Sequence, residues 1–207
     1  MEINDFIQNV DFILAEQYCK NGNYSEGLKR YEDILGYLDD IQLRQYIVRR
    51  YEYGKQLIEK SNFILALEQF RKVLEISNFP LSAYKNMGIC LENLKEPEFA
   101  LECFKKFDEV SEEKEDVYIL MGDVYYNKLK DNLKAIEYYE KAVPLFPENF
   151  ALFNMLGHLY STVYRDEHKE EQIKYLTRAY ELKPEERIVV KYGDSPINIR
   201  QAYQNRV

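Results

Sequence analysis

The chain has 207 residues, 46% of them hydrophobic, which is enough for one or two domains with a substantial core. It carries 19 Tyr and 11 Phe but only 8 Gly and 6 Pro, a composition that favours long helices over strands and turns. The formal net charge of −8 argues against a general nucleic-acid binder, which needs a basic face, so we expect no nucleic-acid partner.

The N-terminal stretch MEINDFIQNV has neither the basic segment nor the continuous apolar run of a secretory signal. No stretch approaches the roughly 20 apolar residues that span a bilayer. The three cysteines, Cys19, Cys90 and Cys103, form no CxxC pair and are typical of reduced, mostly buried thiols. We therefore predict a cytoplasmic protein with no membrane insertion.

The predicted elements are helices that come in pairs, and a glycine recurs inside the first helix of most pairs. Gly54, Gly88 and Gly122 follow one another at intervals of 34 residues, and Gly157 comes 35 residues later. Self-similarity at this period indicates a structural repeat. Apolar residues flank each glycine at helical spacing, as in YKNMGICL around Gly88.

A second helix follows each first helix and has an alanine near its start. These alanines are Ala66, Ala100 and Ala135, and apolar residues follow each of them at helical spacing. Breakers such as KEPE and KDN separate the two helices of a pair. The pair around Ala135 has one extra residue, which we place in the turn between its helices.

The copies near the N-terminus depart from this pattern. The first copy has Ala15 at the position of the recurring glycine (the glycine column) and Gly27 at the position of the recurring alanine (the alanine column). About five extra residues, near 42–46, precede the second copy, in which Arg50 replaces the leading aromatic residue.

The C-terminal part of the chain departs from it as well. The last copy has about three extra residues in its inter-helix turn, YRDEHKEE. The remaining stretch contains a helix stop at Gly193 and a helix start at Ser195-Pro196, which predicts two short helices.

These columns resemble the tetratricopeptide repeat (TPR) family, and the best match is VYILMGDVYYNKLKDNLKAIEYYEKAVPLFPEN, residues 117–149. The resemblance implies an all-α fold: a right-handed superhelical solenoid of antiparallel helix hairpins, with C-terminal capping helices. The predicted TPR array covers 1–186, with repeats at about 8–41, 47–80, 81–114, 115–149 and 150–186, and capping or linker helices at 187–207. In this family small residues let the two helices of a hairpin approach closely. The predicted packing residues are Gly54, Gly88, Gly122, Gly157, Ala66, Ala100 and Ala135.

The resemblance also implies a concave groove that holds a peptide and is lined by first-helix residues. Its predicted residues are Tyr51, Lys55, Lys85, Asn86, Asn93, Leu120, Asp123, Tyr126, Asn127, Asn154, Met155 and His158. The asparagine amides are suited to hold a peptide backbone, and the tyrosine, leucine and methionine side chains offer apolar contact area. For each residue, solvent exposure or packing between repeats is the alternative interpretation. The chaperone-binding carboxylate clamp of some TPR proteins is not expected, because Ile89 and Leu120 occupy its columns.

The sequence gives little reason to expect chemistry in the chain itself. His158 and His168 have no cysteine or second histidine at metal-ligand spacing, so we expect no metal and no cofactor. A pair of His158 with Asp123 could form between neighbouring repeats, but no nucleophile is implied. We therefore predict no catalytic residues.

The predicted function is a non-catalytic protein–protein interaction scaffold that binds a peptide or protein segment and associates with itself as a homodimer through one end. The alternative is an N-terminal substrate-presenting or oligomerisation module of a larger enzyme. Arrays resembling this one often precede a catalytic domain, for example in bacterial protein glycosyltransferases. A chain that ends soon after a helix start would fit this alternative, and the full open reading frame would separate the two.

Overall fold

The structure is a computed structural model, and it describes residues 3–77, 80–112, 114, 116–164, 167–184, 189–192 and 195–198. The helices of these residues are α1 (Ile3–Lys20), α2 (Tyr24–Asp33), α3 (Asp40–Glu59), α4 (Phe63–Ile76), α5 (Ser82–Asn93), α6 (Pro97–Val110), α7 (Val117–Asp123), α8 (Asn132–Ala142), α9 (Phe150–Val163) and α10 (Lys169–Leu182). A 3-10 turn at Leu35–Tyr37 follows α2, and a π-helix at Val124–Leu129 continues α7. The predicted fold class of paired antiparallel helices is thereby confirmed.

The chain divides into two compact units, Met1–Ser111 and Glu112–Val207. The first unit contains α1 to α6, which form three hairpins, and the second contains α7 to α10, which form two. The division falls at the end of the third predicted repeat, three residues before its predicted boundary, within the single array that the sequence predicts.

The recurring glycines lie where the two helices of a hairpin touch. A Cβ atom at these positions would come within 3 Å of a core side chain of the second helix: Gly54 faces Phe70, Gly88 faces Phe104, Gly122 faces Tyr139 and Gly157 faces Leu176. The alanines at positions 66, 100 and 135 are completely buried. In the first hairpin the roles are exchanged, since Ala15 is on the first helix and a Cβ at Gly27, on the second, would strike Cys19. Close approach of the helices therefore explains the small residue in each hairpin.

Most of the hairpin turns reverse the chain through one left-handed residue. This residue is Gly22, Ser61, Lys95 or Lys130, with φ of 81°, 58°, 66° and 58°. In the first three turns the next backbone N–H bonds to a carbonyl five residues earlier, the C-terminal capping bond of a Schellman motif. Three of the four residues are not glycine, which hid this turn from the sequence pattern.

The extra residue of the fourth repeat lies in the helix and not in the turn. The N–H of Asp131 bonds to the carbonyl of Tyr125, six residues earlier, where the other turns span five. The π-helix Val124–Leu129 takes up the insertion, since a π-turn holds one residue more than an α-turn. Our placement of this residue in the inter-helix turn was therefore wrong.

The C-terminal stretch forms strands where helices are predicted. β1 (Val189–Tyr192) and β2 (Ser195–Asn198) pair in antiparallel register, and β1 lies against α9. The prediction of capping helices is therefore wrong for these residues, and residues 199–207 lie outside the described part of the chain. The sequence VVKY favours a strand because β-branched and aromatic residues pack well on a pleated surface. A Ser-Pro pair can begin a strand as well as a helix.

Gln172 occupies the alanine column of the last repeat. Its side chain is 1% exposed, and neither its amide oxygen nor its amide nitrogen has a hydrogen-bond partner among the described residues. An unsatisfied buried polar group costs about 1–3 kcal/mol. Gln172 therefore lowers the stability of the α9–α10 hairpin.

We expect Gln172→Met to raise the free energy of unfolding by about 1 kcal/mol, because it keeps the volume of the side chain and removes the unpaired amide. The matched control is Gln69→Met. Gln69 is 7% exposed, but it accepts a 2.6 Å hydrogen bond from the Arg50 guanidinium. Urea unfolding followed by circular dichroism should show opposite changes for the two variants. Equal destabilisation of both would contradict the prediction.

Candidate functional site

The first unit exposes a strip of apolar and basic residues along α3, the first helix of its second hairpin. Ile41 is 70% exposed and Val48 is 41% exposed. With Arg44, Gln45 and Arg49 they line a shallow cavity of about 310 Å³. The predicted repeat began at residue 47 and left out Ile41, Arg44 and Gln45. α3 begins two turns earlier, at a capping box in which Asp39 and Gln42 satisfy each other's backbone N–H.

A network of charged residues holds Arg49, one of the residues that line this cavity, in place. The Arg49 guanidinium binds both carboxylate oxygens of Glu16, on α1, at 2.9 Å, and the Tyr31 hydroxyl donates to the same carboxylate at 2.5 Å. Hydrogen bonding to Arg49 lowers the pKa of Glu16 to about 2, although burial raises it. Arg49 also donates to Glu52 at 2.9 Å. The pair thus joins the first helices of the first two repeats.

Arg50 is a buried cation, 2% exposed, in a column that holds an aromatic residue in the three later repeats. Its guanidinium lies 4.9 Å from the Tyr46 ring centre and bonds to the Tyr46 hydroxyl at 2.6 Å. It also binds Gln69, on α4, and pairs with Glu32, on α2. Arg50 therefore replaces the aromatic residue with a polar connection between the first two hairpins.

In the first unit the predicted groove residues divide into structural and exposed groups. Asn86 is buried at 9% exposure, and its amide donates to the Tyr51 hydroxyl at 2.9 Å. Tyr51 also bonds to Ser82 at 2.8 Å, so these residues link the second repeat to the third. Lys55 and Asn93 are exposed, and the Asn93 amide bonds to a carbonyl of its own helix. Lys85 is half-buried.

In the second unit most predicted groove residues keep an accessible surface. Asn127 and His158 are exposed, and the others are half-buried: Leu120, Asp123, Tyr126, Asn154 and Met155. Asp123 accepts a 2.6 Å hydrogen bond from Tyr139, on the second helix of its own hairpin. Burial raises the pKa of the Asp123 carboxyl, although this hydrogen bond lowers it. The carboxylate is thus engaged within its repeat and not with His158.

Sequence reasoning missed the charged residues that join neighbouring repeats. Glu16 and Arg49 are 33 residues apart, close to the repeat period, so opposite charges one period apart were the available signal. A hydroxyl–carboxylate group in the second unit also joins neighbouring repeats, and one of its contacts, Tyr175 with Glu140, spans 35 residues. Tyr160 and Tyr175 both donate to Glu140, at 2.7 and 2.9 Å.

The cysteines are free thiols, with Cys19 and Cys90 buried and Cys103 half-buried. Burial raises the pKa of Cys19 to about 11 and that of Cys90 to about 12, which keeps both protonated and unreactive at neutral pH. Among the described residues, no cluster of histidine, cysteine and carboxylate side chains could hold a metal ion. Within the same part of the chain, every helix is too short or too polar to cross a membrane.

Comparisons with known proteins agree with this geometry. The family model described as Tetratricopeptide repeat matches residues 115–149. A crystal structure of MamA has a TM-score of 0.64 and 20% identity over 82% of this chain and 94% of its own. MamA from Desulfovibrio magneticus RS-1 has a TM-score of 0.61 and 22% identity, over 86% of this chain and 95% of its own. YrrB is described as a TPR protein with an unusual peptide-binding site. It has a TM-score of 0.61 and 18% identity, over 84% of this chain and 86% of its own.

No curated protein sequence matches the chain. The family match covers the fourth hairpin, and the glycine and alanine columns carry the same pattern through the hairpins before it. The solved structures share the fold over most of the chain. Residues 115–149 therefore match the tetratricopeptide repeat family, and the chain has the helix-hairpin repeat fold of the solved structures.

Proposed function

We propose that this chain is a non-catalytic interaction scaffold that binds a peptide or protein segment on the faces of its first helices. One observation carries the proposal: the cavity on α3 has exposed Ile41 and Val48 beside the cationic Arg44. Its floor is fixed by the Arg49–Glu16 pair, so little ordering of the site is needed on binding.

The second unit supports the proposal with an independent surface on its own first helices. Asn127 and His158 are exposed there, and Met155 is half-buried. These residues combine hydrogen-bonding groups with an adaptable apolar side chain, which suits peptide recognition. YrrB, which has the same fold, is described as having a peptide-binding site. A module within a larger enzyme would present the same surfaces, and that alternative stays a prediction.

We expect a photo-crosslinking residue at Val48 or at His158 to capture the same discrete partner from native lysate. The matched controls carry it at Arg71 and Glu137, which are exposed on the second helices α4 and α8. Mass spectrometry of the adducts should identify a partner at the first-helix positions and at least fivefold less of it at the controls. Equal yields at all four positions would contradict the proposal. Adducts containing only a second copy would replace it with self-association.

A further inference from the structure

A second cavity in the described part of the chain lies away from the exposed faces of the first helices. It has a volume of about 600 Å³ and opens between α10 and the turn that follows α8. Its inner wall is formed by Phe153 and Tyr175, which are 5% and 6% exposed and whose ring centres are 6.3 Å apart. This volume is within the range of about 300–1,000 Å³ that is usual for ligand pockets.

Two prolines also line this cavity. Pro144 and Pro147 lie in the turn after Ala142, where α8 ends, and a proline ring cannot continue a helix. The Arg178 guanidinium donates to the carbonyl of Pro147 at 3.1 Å, which ties the turn to α10. The cavity is therefore held open by the folded backbone and is preformed.

The rim of the cavity is cationic. Lys174 lies 5.4 Å from the centre of the Tyr175 ring, and no carboxylate of the described residues is within ion-pair distance of it. Arg178 forms an ion pair with Glu181 at 3.1 Å, so its charge is neutralised. The rim thus carries a net positive charge on a chain whose net charge is −8. An acidic segment would be repelled by the molecule as a whole and attracted at this place.

We propose that this cavity binds a segment of a partner protein in which an aromatic side chain is flanked by carboxylates. The aromatic ring packs between Phe153 and the prolines, and a neighbouring carboxylate pairs with Lys174. Offset or edge-to-face ring contacts favour an aromatic occupant over an aliphatic one. A nucleic acid would need more cations than this rim supplies. The site is independent of the first-helix faces and does not rest on the function proposed for them.

The test uses the full chain and the synthetic peptide acetyl-Glu-Phe-Glu-amide. Its controls are acetyl-Lys-Phe-Lys-amide and acetyl-Glu-Ala-Glu-amide, which change only the charge or only the ring. Titration followed by NMR should shift the backbone amides of Lys174 to Arg178 with the first peptide, at least fivefold more tightly than with either control. Raising the salt from about 50 mM to 500 mM should weaken binding, since rim charges are screened.

Two variants locate the binding. Lys174→Glu reverses an exposed charge, so the fold should survive and the affinity should fall about threefold to tenfold. Thr177→Trp fills the cavity and should abolish binding while circular dichroism remains unchanged. Lys105→Glu makes the same charge change on α6, in the other unit, and should leave the affinity unaltered.

Three results would overturn the proposal: no shifts at the cavity, equal binding of the lysine peptide, or equal binding to the Lys174→Glu variant. A fourth would assign the cavity to another occupant. If the same amides shift with protein concentration in the absence of peptide, a second copy of the chain fills the cavity.

Discussion

Arg49→Leu should lower the free energy of unfolding by about 3 kcal/mol at pH 7. The substitution removes a bidentate partner and leaves the Glu16 carboxylate, 11% exposed, with the Tyr31 hydroxyl and a longer contact to Lys20. The magnitude agrees with the pKa of Glu16, which falls from 4.5 to about 2 on folding. A shift of this size corresponds to about 3 kcal/mol of stability. Urea unfolding measures the change.

The same substitution has a characteristic pH dependence. The folded-state pKa of Glu16 lies below its unfolded-state value, so the pair stabilises the protein fully above about pH 5. This contribution is lost as the pH falls from 4.5 towards 2, where the carboxylate becomes protonated in the folded state too. The difference between wild type and Arg49→Leu should therefore shrink over that interval.

The matched control for this prediction is Arg71→Leu. Arg71 pairs with Glu75 on the surface of α4 at 3.2 Å, and both side chains are more than half exposed. Removing such a pair should change stability by no more than about 0.5 kcal/mol, with little dependence on pH. Similar losses for the two variants at pH 7 would show that the Glu16–Arg49 pair contributes nothing beyond a surface contact.

Gly88→Ala should destabilise the protein by about 1–3 kcal/mol, although alanine favours a helix over glycine by about 1 kcal/mol. The new Cβ would lie within 3 Å of three atoms of the Phe104 ring, which is completely buried. The ring cannot move away without displacing the core of the α5–α6 hairpin, so overpacking outweighs propensity. Thermal unfolding followed by circular dichroism measures the balance.

Gly36→Ala provides the comparison for this glycine. A Cβ at Gly36 would meet no atom within 4 Å, and its φ is not positive. Alanine there should leave stability unchanged or raise it by about 0.5 kcal/mol, through the entropy of the unfolded chain. If Gly88→Ala also proved neutral or stabilising, the recurring glycines would not be explained by close helix packing.

The repeat pattern predicted the hairpins because packing between two helices of one repeat depends on local spacing alone. Gly122 and Tyr139, for example, are brought together by a short turn whatever the neighbouring repeats contain. The same spacing could not predict where an insertion would be absorbed, because a π-turn and a longer loop have the same residue count. The fourth repeat uses the π-turn.

The candidate sites were harder to predict because exposure depends on what the next repeat presents. Asn86 is at a position predicted to line the groove. Its amide instead donates a hydrogen bond to the Tyr51 hydroxyl of the preceding repeat, which places it in the interface between repeats. The cationic rim of the large cavity was missed for the opposite reason. Lys174 and Arg178 appear in the sequence as an ordinary charged helix face, and only the prolines after α8 turn that face into a cavity wall.

The Glu16–Arg49 pair also favours one particular neighbour for the first repeat. The hairpins of this chain resemble one another, so a misfolded chain could stack the first hairpin on the wrong partner. Counted from the central glycine, the position of Arg49 is occupied in the later repeats by Ala83, Val117 and Leu152. None of these can neutralise a buried carboxylate. The ion pair thus favours the second hairpin as the neighbour of the first, which apolar contacts shared by every hairpin would not do.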